Sequence, residues 1–383
     1  MIKGKDILFL SGIRWDFSHQ RHQELAALFA RFNRVLFVEM ALSPANFLKD
    51  SKATITHWRD WWKGSREIQS NLFCYTAPPV LPLGRSCATI NSLNQRIIYH
   101  GVKNAMDLIG MRSPLLWISD PYFSFFSRNH GQIITIYDWI HDNPVSSGSK
   151  IDRTYRKLEK EFLGNADIIF TPSRVIYNRY GKNDPRFHLI PHGVNHELFS
   201  TGRREVPADL EKIPPPLIGF IGTIGTTVDI GLLEKLVRRK KAWSFIFIGD
   251  VKREVKTLSS APNVYFPGPK NRQELPQYLS SFDAGIIPYR VSPETGTVHP
   301  VKTYEYLAAG IPVVSTNLPE LETLRGMIEL ADGDEAFISC LDKVLKKDTP
   351  EEHRERTRFA RENSWESRIG EIEKIILKAL LSG

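Results

Sequence analysis

Cysteine is scarce: Cys74, Cys87 and Cys340 are the only three in 383 residues, an odd number with no metal-ligand spacing. That argues against a disulfide framework or a zinc-finger site and leads us to expect a reduced, cytoplasmic protein. Long apolar runs are missing too. No stretch of about 18 apolar residues occurs, so no membrane-spanning helix is expected. The opening M-I-K-G-K-D-I-L-F-L-S-G holds too short an apolar run for a signal peptide and reads as a first strand. Internal repeats are absent and low-complexity sequence nearly so. The only Asp-x-Asp is Asp332-Gly-Asp334, just ahead of a helical pattern at Glu335–Lys347, where carboxylates read better as helix caps than as metal ligands.

What is present is ordinary for a soluble enzyme, with 42% apolar and 25% charged residues over a length that suits two or three domains. The charge is unevenly spread. Residues 1–200 carry 25 Lys and Arg against 17 Asp and Glu, a net +8, whereas residues 201–383 carry 26 of each. An anionic membrane surface, an acidic substrate or nucleic acid would each suit a basic first half. Nucleic acid is the weakest of these, because no helix-turn-helix, RNP-like or zinc-finger pattern accompanies the charge.

Apolar strand-like runs alternate with helical patterns along the chain. In the first half the strands read as Ile7–Ile13, Val35–Glu39, Leu115–Ser119, Ile133–Asp138, Ile168–Thr171 and Leu189–Pro191, with helices at Arg21–Phe32, Leu93–Gly110 and Ile151–Asn165. In the second half strands read as Leu217–Ile224, Ser244–Asp250, Val264–Pro267, Ala284–Pro288 and Pro312–Thr316. Helices fall between them at Val228–Arg239, Gln273–Ser281 and Val301–Ala309. Continuous apolar strands alternating with helices indicate parallel sheets covered on both faces. The fold class is therefore α/β, with two Rossmann-like, doubly wound domains over 1–200 and 217–363. The polar, Pro-rich 201–216 reads as a linker, and 364–383 as an amphipathic helix with Ile369, Ile372, Ile376 and Leu380 in its stripe and Ser364 as its cap.

The most informative stretch runs from Val291 to Thr316: V-S-P-E-T-G-T-V-H-P-V-K-T-Y-E-Y-L-A-A-G-I-P-V-V-S-T. It reads as a loop, a short helix and a buried strand. Pro300 suits a first helical turn, where its missing N–H costs nothing. The Val298–Val301 amides and the positive end of the helix dipole suit an anion such as phosphate, which makes His299 and Val301 candidate contacts. Lys302 and Glu305 share a helix face, about 4.5 Å apart along the axis. A cation at the mouth and a carboxylate one turn deeper suit a nucleoside diphosphate, with charge met at the mouth and ribose hydroxyls held below. An ordinary amphipathic helix with a surface Lys and Glu fits the same residues.

Several motifs carry a family resemblance. I-P-H-G-V-N-H-E-L-F at Ile190–Phe199 resembles the I-P-N-G-V-D-x-x-x-F that closes the first domain of many GT-B glycosyltransferases. N-V-Y-F-P-G-P at Asn263–Pro269, S-F-D-A-G-I-I-P-Y at Ser281–Tyr289 and the following Y-E-Y-L-A-A-G-I-P-V-V-S-T resemble their second domain, and F-T-P-S at Phe170–Ser173 and S-W-E at Ser364–Glu366 also fit. The match is nearest to family-4-like bacterial transferases of the teichuronic acid and exopolysaccharide type, dense over the second domain and patchy over the first. The resemblance implies two domains facing a cleft, the last helix crossing back to the first domain, a nucleotide-sugar donor on the second domain and a glycan or lipid-linked acceptor on the first. It also implies Glu305 as the ribose ligand, Lys302 as the diphosphate ligand and no obligate metal or other cofactor.

The sequence departs from the family in two places. Where relatives have a first glutamate eight positions before Glu305, this chain has Thr297, and Glu294 lies at the wrong spacing. The usual Arg and Lys after the second domain's first strand are missing from G-F-I-G-T-I-G-T-T-V-D. Gly222, Thr223, Gly225 and Thr226 could still cradle phosphates, or simply make tight turns. Arg253, Lys270 and Arg290 could replace the missing cations or stand as solvated charges.

Acceptor chemistry falls to the first domain. Asp138, His141 and Asp142 follow the Ile133–Asp138 strand, where a carboxylate or imidazole could deprotonate an acceptor hydroxyl. The loop from Gly12 offers Arg14, His19, Arg21 and His22 for the sugar, its phosphates or an anionic acceptor. W-R-D-W-W-K-G-S-R at Trp58–Arg66 suits a membrane interface, or a half-buried loop. With the basic first half it favours a peripheral place on the inner face of the plasma membrane. A glycosyltransferase of surface polysaccharide synthesis is the leading reading. A sugar-nucleotide 2-epimerase and a catalytically silent nucleotide-sugar-binding subunit remain as alternatives.

Overall fold

A computed structural model of the chain describes residues 1–16, 19–48, 50–128, 131–140, 150–200 and 205–382. They build two parallel-sheet α/β units. One comprises Met1–Pro172, Ile176–Ile190 and Ile369–Gly383; the other comprises Ser173–Val175 and Pro191–Arg368.

The first unit holds β1 (Asp6–Leu10), β2 (Arg34–Glu39), β3 (Arg66–Gln69), β4 (Leu72–Thr76), β5 (Leu115–Ile118), β6 (Ile134–Asp138), β7 (Ile168–Thr171) and β8 (Phe187–Leu189). Their order is β3-β4-β2-β1-β5-β6-β7-β8, parallel throughout except for the antiparallel β3–β4 pair. Val, Ile, Leu and Phe fill β1, β2 and β5 without polar alternation because both sheet faces are covered. Phe9 stacks on Phe37 and Trp117 at 5.6 and 5.4 Å, which ties the three central strands by one face. Strand order reverses between β1 and β5, so their carboxyl ends open a crevice there.

The second unit holds β9 (Leu217–Ile221), β10 (Ser244–Ile248), β11 (Val264–Tyr265), β12 (Ala284–Ile287), β13 (Val313–Thr316) and β14 (Glu329–Ala331). The order is β11-β10-β9-β12-β13-β14, all parallel. Its reversal lies between β9 and β12.

Residues 44–76 depart most from the sequence reading. They form a 3-10 helix at Pro44–Leu48, an α-helix at Ser51–Trp62, and β3 and β4. The buried positions of that α-helix are Thr54 and His57, so no apolar stripe announced it. Burial, with Arg14 nearby, lowers the His57 pKa to about 4 and keeps the ring neutral, and its Nε2 accepts the Leu42 N–H at 3.3 Å. The stretch read as a linker is anchored to the second unit: Leu210 is buried in that unit's core and Asp209 accepts from the Tyr278 hydroxyl. One anchoring leucine among prolines gives no periodicity to detect. The last helix, Trp365–Ser382, buries Ile372 and Ile376, and Ser364 Oγ caps it through the Ser367 N–H at 3.2 Å. Asp334 opens the Asp334–Lys347 helix and pairs with Lys235, while Asp332 accepts from Asn317. Among the described residues no helix is long and apolar enough to cross a membrane.

Candidate active site

In the second unit the site forms where strand order reverses. The loop after β9 is pinned to the loop after β12 by Asp229 N–H to Pro288 O and Arg290 N–H to Thr227 O, both 2.8 Å. Beside them lies the Lys302–Ala308 helix. Its Tyr306 is fully buried and its hydroxyl accepts the Ile221 N–H at 2.9 Å, fixing the helix to the end of β9. Gly285 lets that ring approach β12, since a Cβ there would lie 2.6 Å from Tyr306 Cδ2. Thr303, Tyr304, Tyr306, Leu307 and Ala308 are buried, which leaves Lys302 and Glu305 as the partly open positions of the helix.

Lys302 extends over the sheet. Its Nζ stands 4.1 Å from the Phe220 ring centroid and 5.1 Å from that of Tyr289. It also occupies the space where a side chain on Gly222 would project, and Gly222 itself holds φ 141°, a conformation only glycine adopts without strain. Among the described residues no carboxylate makes an ion pair with Lys302. This is a half-buried cation held against two aromatic rings.

The amides are less available than the motif suggested. The helix begins at Lys302 with Val301 as its cap, so Pro300 precedes it instead of sitting in its first turn. The Val298 N–H already donates to Thr295 O at 3.1 Å. In the glycine loop the amides of Gly222, Ile224 and Gly225 donate to Ile248, Asp250 and Thr223, while the Thr223 side chain is exposed. His299 is buried, its Nε2 3.2 Å from the Tyr304 hydroxyl and its ring 5.7 Å from His192. Lys270 forms an ion pair with Asp209 at 2.8 Å and lies over Tyr278, so its charge is already matched. Arg253 donates to Val228 O, and Arg290 is exposed.

The first unit corrects two further expectations. Asp138 was read as a catalytic carboxylate at the rim and Arg21 as an acceptor ligand, yet they are 0% and 1% exposed and bonded to each other. Arg21 Nε donates to both Asp138 oxygens, at 3.0 and 2.9 Å, and its Nη1 donates to Ile190 O. Burial pushes the Asp138 pKa up, opposed by Arg21 and a bond from Trp117. A carboxylate sealed in this way cannot collect a proton from an external hydroxyl. His22 is also buried, with Nδ1 3.0 Å from Ser11 Oγ. Arg14 pairs with Asp60 at 3.0 Å, and His19 lies 3.6 Å from Glu24 while staying partly exposed. Gly12 sits in the β1/β5 crevice, where a Cβ would stand 2.9 Å from Asp120 Oδ2. His141 and Asp142 lie outside the described residues.

Residues 215–347, the part that includes Gly222, Tyr289 and Lys302, match the family described as glycosyl transferases group 1. Over 285 residues the chain is 30% identical to a Bacillus subtilis (strain 168) protein provisionally assigned as the teichuronic acid biosynthesis glycosyltransferase TuaH, covering 68% of this chain and 70% of that one. The chain belongs to the group 1 glycosyltransferases. Its fold is GT-B. It is similar over 99% of its length, and all of the other's, to the sucrose-phosphate synthase of Thermosynechococcus elongatus, with a TM-score of 0.72 at 16% identity. Anabaena Alr3699/HepE, solved in complex with UDP-glucose, matches with a TM-score of 0.67 at 14% identity over 97% of this chain and 99% of that one. Neither an epimerase nor a catalytically silent subunit is favoured by these matches.

In this glycosyltransferase, then, the fold brings Lys302 beside Gly222 and keeps Glu305 one turn away on the same face. Sequence reasoning missed Phe220, Tyr289 and Tyr306. Each lies inside a quoted motif, but an aromatic residue in an apolar strand or helix reads as core, and only the register shows which ring faces the lysine.

Proposed function

We propose that this glycosyltransferase moves a sugar from a nucleoside-diphosphate sugar to a glycan or lipid-linked acceptor during surface polysaccharide synthesis. Lys302 meets the donor diphosphate and Glu305 the ribose hydroxyls. The observation that carries the reading is the half-buried Lys302 ammonium, which makes no ion pair with a carboxylate among the described residues and faces Gly222 at the carboxyl end of β9. A half-buried cation gains from an anionic partner, and a phosphate supplies one through charge-assisted hydrogen bonds. As the glycosidic bond breaks, negative charge grows on the diphosphate and the lysine stabilises it, so the reading needs no metal ion. The provisional teichuronic acid assignment of TuaH supports the polysaccharide product, and the UDP-glucose complex of HepE supports the donor class. On the acceptor side, Arg14 and His19 beside the β1 loop remain partly exposed. A thermal-shift screen against UDP, GDP, CDP, ADP and dTDP tests the reading. At 100 times its Kd the matching nucleotide should stabilise the protein by about 2.7 kcal/mol. No shift with any of the five overturns it.

A second element of the proposal is the place of reaction. The Ser51–Trp62 helix exposes Lys52, Ile55, Arg59 and Trp62, followed by Lys63, and Leu48, Leu81 and Leu83 are exposed nearby in sequence. Basic side chains interleaved with Ile and a Trp that is 83% exposed suit an anionic membrane, where a lipid-linked acceptor would reside. Trp61 packs against the first unit's core and Trp58 stacks on Phe47, so Trp62 is the informative position. Binding to anionic vesicles should be strong at low salt, fall at high salt and weaken further in Trp62→Ala. Absent or salt-independent binding removes the membrane and leaves a soluble acidic acceptor.

A further inference from the structure

We propose that Phe220 and Tyr289 form an aromatic cage that positions the Lys302 ammonium for the donor diphosphate, which makes them positioning residues of the transfer reaction. The inference rests on Lys302 being the diphosphate ligand. Phe220 belongs to β9 and Tyr289 stands two residues beyond the end of β12, so the rings flank the point where strand order reverses. Lys302 Nζ lies over both, 4.1 Å from one centroid and 5.1 Å from the other. Phe220 is wholly buried and belongs to the core that includes Phe247 and Ile286, while Tyr289 is partly buried and is held by Thr316 Oγ1 donating to its carbonyl at 2.7 Å. The Phe220 ring is therefore set by the core before any ligand arrives, and Tyr289 packs against that same core.

The chemistry of the cage explains why rings, not carboxylates, hold this lysine. The face of an aromatic ring carries partial negative charge and attracts an ammonium, more so where water is excluded. It does not neutralise the cation. A carboxylate in the same place would cancel the charge and leave the phosphate to compete with a desolvated ion pair. Two ring faces fix the direction of Nζ and leave its full charge for the ligand. They also offset the side-chain entropy a long lysine loses when it is ordered. In a site that lacks the Arg and Lys usual after the strand corresponding to β9, a single cation must be aimed well.

The test is a double-substitution cycle on Tyr289 and Lys302, using the best-binding nucleoside diphosphate from the five above as probe and its nucleoside as control. Tyr289 is chosen because Phe220 is core and its loss would disturb folding. Tyr289→Leu should weaken the diphosphate by about five- to tenfold, the size of a partly desolvated cation–π contact, and leave the nucleoside unchanged. Tyr289→Phe keeps the ring and should bind within about twofold of wild type. In a Lys302→Met background Tyr289→Leu should cost nothing more. An equal loss in both backgrounds, or a failure of Tyr289→Phe to restore binding, overturns the cage while leaving Lys302 as ligand. Unchanged diphosphate affinity in Lys302→Met alone instead overturns the assignment on which the cage rests.

Discussion

Asp138→Asn should lower the stability of the first unit by about 3–5 kcal/mol, because it takes the bonded Asp138 charge away from the buried Arg21 guanidinium. Arg21 is 1% exposed and gives its Nε to Asp138 and its Nη1 to Ile190 O, so water cannot take over when the carboxylate goes. The cost follows from desolvation: a charge already out of water loses a counter-charge bonded through two oxygens. Removing both charges together is a different experiment. Arg21→Met with Asp138→Leu replaces the pair by apolar groups, and such exchanges are often neutral or stabilising. The double variant should therefore recover most of the loss seen in Asp138→Asn. Chemical denaturation of the three proteins, followed by turnover, decides the matter. A stable Asp138→Asn protein with lost turnover would return Asp138 to catalysis.

Lys302→Ala should reduce kcat by about 100-fold or more, the size found when one preorganised group facing developing negative charge is removed. Nucleotide affinity should fall as well, because the diphosphate is charged before the bond breaks. The fall in kcat exceeds what ground-state binding explains, since charge on the leaving oxygens grows in the transition state. Glu305→Gln acts on the other end of the nucleotide. A carboxylate accepting from ribose hydroxyls makes charge-assisted bonds, each worth roughly 1.5–3 kcal/mol, and the amide retains shape without charge. Affinity for the nucleoside diphosphate should drop by about ten- to hundredfold, with kcat at saturating donor less affected. Calorimetry with the nucleotide and steady-state turnover of both variants separate the roles. If Lys302 and Glu305 only face water, each change costs less than about 0.5 kcal/mol and turnover is normal. Near-wild-type values for both would move the donor site elsewhere.

The sequence by itself determined the strands of both sheets where they are buried on both faces. L-I-G-F-I and S-F-I-F-I contain no polar alternation, and a run of that kind has few places to go other than the middle of a covered parallel sheet. It also placed Lys302 and Glu305 on one face, because helical spacing is a local property fixed by 3.6 residues per turn. Local signals fail where the information lies in a partner. The Ser51–Trp62 helix buries Thr54 and His57, and β3 alternates half-buried and exposed positions, so neither carries a strong apolar period. Only the tertiary structure decided that Asp138 and Arg21, 117 residues apart, neutralise each other inside the first unit. A carboxylate at a strand end looks the same in sequence whether it faces solvent or a buried guanidinium. The same holds for Lys302: its position was legible, but Phe220 with Gly222, Tyr289 and Lys302 itself lie on three separate segments. Those segments meet because β9 and β12 are neighbours and the Lys302–Ala308 helix is fixed across them by Tyr306. Contacts of that range depend on sheet order and register, which pattern and propensity along one chain do not specify.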